Sequence, residues 1–296
     1  MVETISICPL CNSTSLEKFL EAKDYTSSKE TFTIVKCINC EFTLTNPRPP
    51  GTEIGKYYLS DKYISHTGAG KTIFDKVYLT ARNFTLKWKF ELLNKYQKSG
   101  NLLDFGCGTG EFLAHCQRRK WNITGVEPSE NARVKASQNI GKPVASNLNE
   151  VDNEQFDAIT LWHVLEHLHE LESDLRKIVA LLKKDGTIFI AVPNHQSPDA
   201  KHYKRFWAGY DVPRHLWHFS KDTMNQMFEK VGLQIIEIKP MKLDAFYVSL
   251  LSEAYQNPQA SKLSNGWNAF LQGVKSNRAA KVNNNYSSLV YIAKHA

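Results

Sequence analysis

The sequence predicts an α/β protein with an open, ligand-binding sheet and a small four-cysteine unit on its N-terminal side. Three observations carry this. A short apolar strand runs through a glycine-rich turn into a helix at residues 102–113. An acid, Glu127, ends the next strand 17 residues after Gly110. Ahead of both, Cys8, Cys11, Cys37 and Cys40 form two C-x2-C pairs separated by 25 residues. With 296 residues, 42% hydrophobic and 23% charged, the chain has enough apolar surface for a sizeable core, which excludes global disorder. It has no run of 18 apolar residues, and Met1-Val2-Glu3-Thr4 lacks the pattern of a signal peptide, so a cytoplasmic protein is expected. The formal charge of +7 is concentrated late: Lys262, Lys275, Arg278, Lys281 and Lys294 follow Ala254 with no acid among them. The other 253 residues carry only +2, which argues against a nucleic-acid partner.

Residues 1–46 read as a zinc ribbon. Two C-x2-C turns bring four thiolates together in the tetrahedral shell that Zn2+ accepts, and Phe32–Lys36 reads as the strand leading into the second turn. Disulfides are disfavoured in a reducing compartment. Four cysteines leave no open coordination position, so the metal is structural. About 45 residues bury too little surface to fold without it. Asn46-Pro47-Arg48-Pro49-Pro50-Gly51 breaks helices and marks a boundary. Residues 47–99 then form a linker and one long helix, with apolar residues at Ile73, Val77, Ala81, Phe84, Trp88, Leu92 and Tyr96.

Leu102-Leu103-Asp104-Phe105 is a buried strand entering Gly106-Cys107-Gly108-Thr109-Gly110, and a helix starts at Glu111. Such a turn lets backbone approach a ligand and aims N–H groups at it. The pattern D-x-G-x-G-x-G places Glu111 where a dinucleotide fingerprint has its third glycine. The second strand, Asn122–Glu127, ends in an acid suited to both hydroxyls of a ribose.

These residues resemble the class I S-adenosylmethionine-dependent methyltransferases. Further matches are Gly125-Val126-Glu127-Pro128-Ser129, Phe156–Leu168 (FDAITLWHVLEHL) and Leu182–Ile190 (LKKDGTIFI), in the family's order over about residues 100–240. The resemblance implies a Rossmann-like seven-stranded sheet with its last strand antiparallel, across residues 100–296. It also implies that Asp104, Gly106, Gly108 and Gly110, with Phe105 and Cys107 between them, cradle the methionine part of S-adenosylmethionine. Glu127 would then hold the ribose, Asn147 would lie beside the adenine, and Trp162 and His163 would line the methionine side. A ribbon ahead of this core resembles bacterial methyltransferases associated with polysaccharides and deoxysugars, although Glu41 stands where those often have glycine.

Beyond the fifth strand, residues 194–219 should roof the site, because ligands of open α/β sheets bind past the strands' carboxyl ends. Methyl transfer needs an aligned nucleophile and often a base. The candidates, in order, are His215, His163 and His218, with Arg214 as an anchor for an anionic substrate group. Ser220 caps a helix that Gly232 stops, Leu233–Ile238 is the sixth strand, residues 243–282 form a helical insertion, and Tyr286–Ile292 is the last strand. The expected reaction moves a methyl group to O, N or C of a small or glycan-like acceptor. The rivals are a nucleic-acid methyltransferase guided by the ribbon and a non-catalytic binding domain.

Overall fold

The computed structural model describes residues 2–58, 73–151 and 154–296, with side chains of the first long helix from residue 79 onward. Residues 59–72 of the expected linker, and the side chains of Ile73 and Val77, lie outside that description.

Two sheets form. In the first, β1 (Leu16–Lys23), β2 (Thr31–Cys37) and β3 (Thr43–Thr45) run antiparallel, and β8 (Trp217–His218) joins β3 at its edge. Thr43 pairs with His218 and Leu44 with Trp217. The cysteine-bearing unit therefore shares a sheet with residues that lie far along the chain, within the segment expected to roof the site. Phe42 stacks 5.8 Å from Trp217, and the Arg48 guanidinium lies 4.8 Å from the same indole. Residues 46–51 also pack closely. Asn46 exchanges two hydrogen bonds with the Ile5 backbone, and Arg48 is buried against Glu3.

The second sheet has the order β5 (Asn122–Val126), β4 (Asn101–Phe105), β6 (Phe156–Trp162), β7 (Leu182–Pro193), β10 (Ser288–His295), β9 (Leu233–Pro240). Strands β5, β4, β6 and β7 are parallel, and β10 is antiparallel to both neighbours. Side chains alternate across it. Leu102, Ala158 and Phe189 face a core shared with α1 (Ile73–Tyr96), α2 (Glu111–Gln117) and α3 (Glu130–Ile140). Leu103, Ile159 and Ile188 face α4 (Leu171–Ala180) and α6 (Lys221–Lys230). In chain order α5 (Pro198–Tyr203) falls between α4 and α6, and α7 (Asp244–Gln256) and α8 (Lys262–Ala280) come further on.

The sheet has six strands among the described residues, not the expected seven. At the seventh position only Ala145 bridges Val126. The chain then turns away. Ser146 bonds the Glu150 carboxylate, and Asn147 accepts the Asn149 amide to cap a short turn. In α1 the buried side chains include Leu92 and Leu93, whereas Phe84, expected in the apolar stripe, is 61% exposed.

Arg214 is also not where the sequence suggested. It is fully buried, with Nη2 donating to Asp24 at 3.0 Å and to Asp211 at 2.6 Å, and Nη1 donating to the Tyr57 carbonyl. A guanidinium enclosed by two carboxylates is unavailable to a substrate anion; it ties the β1–β2 loop to the roof. Truncating it would strand Asp24 without a counter-charge. Arg214→Ala should therefore lower the unfolding free energy by about 3–5 kcal/mol in urea titration; a loss below about 1 kcal/mol would mean the pair is dispensable.

Candidate functional site

The turn after β4 is built from glycines with positive φ: Gly106 at 73°, Gly108 at 56° and Gly110 at 76°. At Gly106 an added Cβ would lie 2.5 Å from Val164, so only glycine fits. At Gly108 the same atom would meet nothing within 4 Å, which leaves open space above the backbone. Beside it, Glu127 sits at the carboxyl end of β5. One carboxylate oxygen accepts the Gly108 amide at 2.9 Å and the other the Ser129 amide at 2.9 Å. Burial raises its pKa, and these amides oppose the rise. Each oxygen keeps a lone pair for a further donor such as a hydroxyl.

Asp104 is buried at the end of β4, where desolvation raises its pKa to about 7. Thr160 Oγ1 donates to it at 2.6 Å, and Lys89 of α1 opposes the rise as a nearby cation. The Lys89 ammonium lies 4.4 Å from the Trp162 ring centroid. Trp162 packs edge-on to Phe112, and its Nε1 is buried without a hydrogen-bond partner among the described residues. Phe105 and Cys107 turn into the two cores instead, and burial pushes the Cys107 thiol up, so only their backbones face the turn. Asn147 is exposed, with its side chain committed to the turn at residues 146–150.

A second group of side chains gathers at the end of β6. His163 has φ 58° and points Nε2 at Asp244 of α7, 3.1 Å away, and Nδ1 at Glu166, 3.4 Å away. Burial opposes its charge, yet the two carboxylates outweigh burial and lift its pKa to about 9. Glu166 is fully buried, and neither oxygen has a conventional hydrogen-bond donor among the described residues. Burial raises it, but His163 and His215 reverse the effect and hold it below the usual range. His215 places Nε2 4.0 Å from Glu166 and 4.0 Å from Asp211, and Nδ1 2.9 Å from the Gly209 carbonyl. That last contact fixes Nδ1 as the protonated nitrogen and leaves Nε2 able to accept. His167 stands edge-on to His215 at 4.6 Å, its pKa pushed down to about 4 by burial and by His215.

The fold thus brings Asp104, the glycine turn, Glu127, Trp162, His163 and His215 to one edge of the sheet. It leaves His218 elsewhere. That ring is buried in β8, bonded to Thr45 Oγ1 at 3.0 Å, and burial holds it neutral. Because Thr45 donates its hydroxyl proton to the His215 carbonyl, His218 Nε2 is the donor and has no lone pair to offer there. Sequence reasoning missed Glu166, Lys89 and Asp244. The three-residue spacing of His163 and Glu166 is the signal that could have found the first; Asp244, 81 residues from His163, gave no local signal.

At the N-terminal unit, Cys8 and Cys40 have sulfurs 3.6 Å apart, as do Cys11 and Cys37, and all four ligand atoms lie within 4.8 Å of one another. A tetrahedral ion with metal–sulfur bonds of about 2.3 Å needs sulfur–sulfur edges of about 3.8 Å, so the set fits zinc and is too open for a disulfide. The residue after each pair, Asn12 and Glu41, takes φ 62°.

An open α/β sheet with a glycine turn and a strand-end acid defines a nucleoside-cofactor domain. Comparison with known proteins narrows the class. Residues 80–238 match the model of a family described as the methyltransferase domain, and the chain belongs to that family. It is 31% identical over 119 residues to a ubiquinone biosynthesis O-methyltransferase of Pelagibacter ubique, covering 38% of this chain and 50% of that protein. To a putative methyltransferase of a Geobacillus species it is 33% identical over 114 residues, covering 34% and 46%. The chain thus spans about half the length of these curated relatives. Its fold resembles that of the mycolic acid cyclopropane synthase CmaA1, solved with SAH and CTAB, with a TM-score of 0.51, 16% identity, and coverage of 73% of this chain and 85% of that one.

Two titrations give the site a pH signature of one sign. Between its ordinary value and about 9, His163 binds more proton in the native state than in the unfolded one. Asp104 does the same between its ordinary value and about 7. Stability contributed by His163 is therefore full below about pH 6.5 and lost as pH rises through about 9. Urea unfolding at neutral and alkaline pH should show a loss that is smaller in His163→Gln. Equal pH dependence in both proteins would refute the assignment.

Proposed function

We propose that the protein is an S-adenosylmethionine-dependent methyltransferase acting on oxygen of a small-molecule acceptor. The observation that carries this reading is the Glu127 carboxylate beside the open space over Gly108, at the same sheet edge as the Glu166 cluster. Bound S-adenosylmethionine supplies an electrophilic methyl group on sulfonium sulfur. Glu127 would hold the ribose hydroxyls. Asp104 and Lys89, of opposite charge, would hold the amino and carboxylate ends of the methionine part, with Trp162 as a wall.

His215 is the proposed base. Its Nδ1–H is fixed on Gly209, so Nε2 takes the acceptor's proton, and Glu166 and Asp211 stabilise the imidazolium that forms. His163 is already protonated at neutral pH; its role is to neutralise Glu166 and to fasten α7 through Asp244. An oxygen acceptor agrees with the first relative's name. A glycan hydroxyl is one case of it, to be decided by substrate screening. Cys8, Cys11, Cys37 and Cys40 are proposed to hold one structural zinc.

Calorimetry with S-adenosylmethionine should show affinity falling about 100-fold in Glu127→Ala, equivalent to about 2.7 kcal/mol. Unchanged affinity would remove the ribose role. His215→Ala should keep binding and lose 10²–10⁴-fold in turnover, roughly the worth of a positioned base. Elemental analysis should find one zinc per chain, and Cys37→Ser should lose it together with cooperative unfolding; a metal-free, equally stable protein would contradict the zinc assignment.

A further inference from the structure

Helix α8 has two contrasting sides. One carries small residues, with Asn265, Ala269, Gly273, Ser276 and Ala280 buried at steps of three and four. It packs closely on α7, where a Cβ on Gly273 would lie 2.5 Å from the Phe246 ring. The opposite side is large and open: Leu263 is 88% exposed, Trp267 64%, Phe270 51% and Val274 43%. Trp267 and Phe270 stack at 6.0 Å, and Phe270 stacks on Phe246 at 5.7 Å, so the aromatic rings form one surface. Eight of the fifteen exposed large hydrophobic residues among the described ones fall between Leu243 and Val282; the others are scattered along the chain. Single exposed apolar residues are ordinary, but a contiguous patch marks a binding surface.

The exposed charge that α7, α8 and their connections bring to the patch has one sign. Lys242, Lys262, Lys275, Arg278 and Lys281 are exposed, and no acid follows Glu253 in the chain. The two acids of α7 are engaged inward: Asp244 meets His163, and Glu253 accepts from Tyr203 at 2.9 Å and from Asn257 at 3.1 Å. A second copy placed face to face would bring cations against cations with no acid between them. Tryptophan, phenylalanine and leucine on a helix face flanked by lysine and arginine fit the headgroup boundary of an anionic bilayer. No described helix is long and apolar enough to cross a membrane, so the contact is peripheral.

We propose that the α7–α8 face docks on an anionic lipid bilayer, with Leu263, Trp267, Phe270 and Val274 entering the headgroup–acyl boundary and Lys275, Arg278 and Lys281 facing lipid phosphates. This stands whether or not the sheet edge transfers methyl groups, since it rests on different residues. The test is flotation of the full chain with phosphatidylcholine vesicles made with and without phosphatidylglycerol. Binding should need phosphatidylglycerol and weaken with salt. It should fall about tenfold or more in Trp267→Ser/Phe270→Ser and in Lys275→Glu/Arg278→Glu/Lys281→Glu. All these side chains are exposed, so thermal melts should match the wild type and exclude misfolding as the cause. Absence of flotation with phosphatidylglycerol vesicles overturns the proposal, as does flotation that the serine variant leaves intact. A lipid-free dimer that the serine variant splits would also overturn it, by assigning the face to a second copy.

Discussion

The buried carboxylate of Glu166 is the constraint on which the rest of the site depends. It is sealed from water just beyond β6, and no hydroxyl or amide among the described residues donates to it. An uncompensated charge in such a place costs several kcal/mol. The compensation comes from the protonated His163 at 3.4 Å, while His215, at 4.0 Å, adds positive charge only once its Nε2 takes a proton. Each is held by a different part of the fold: His163 by Asp244 at the start of α7, and His215 by the Gly209 carbonyl in the roof. Sheet, roof and helical insertion therefore meet at one carboxylate, and moving any of them changes its charge balance.

The N-terminal unit belongs to the same arrangement. Strand β8 lies two residues beyond His215 and completes the sheet of β1, β2 and β3, while the Leu216 amide donates to the Glu166 carbonyl at 2.8 Å. Phe42 stacks on Trp217, and Arg214 spans from the roof to Asp24 in the β1–β2 loop. The four-cysteine unit thus braces the segment that presents His215. A structural metal in that unit would act on the site by keeping the roof in register, without approaching the chemistry.

Local patterns made the frame legible. The glycine turn, the acid closing β5 and the paired cysteines each declare themselves within a few residues, because tight turns and metal knuckles have few sequence solutions. The antiparallel last strand followed from family resemblance. What escaped was decided by competition over distance. The seventh strand gave way to a turn because Ser146, Asn147 and Glu150 satisfy one another locally. Arg214 and His218 looked like surface chemistry in a polar, aromatic segment, yet Asp24 and Thr45, far back in the chain, draw them inside. Asp244 and Lys89 join the site from helices whose sequences show only ordinary polar positions.

We propose that one sheet edge combines a nucleoside cradle at Glu127 with a proton-accepting cluster around Glu166. A crystal structure with S-adenosylhomocysteine bound tests it most directly. The expected result is ribose hydroxyls on Glu127, the methionine part between Asp104 and Lys89, and the sulfur facing His215. A nucleoside bound away from Glu127, or a sulfur turned away from the His163–Glu166–His215 cluster, would contradict it.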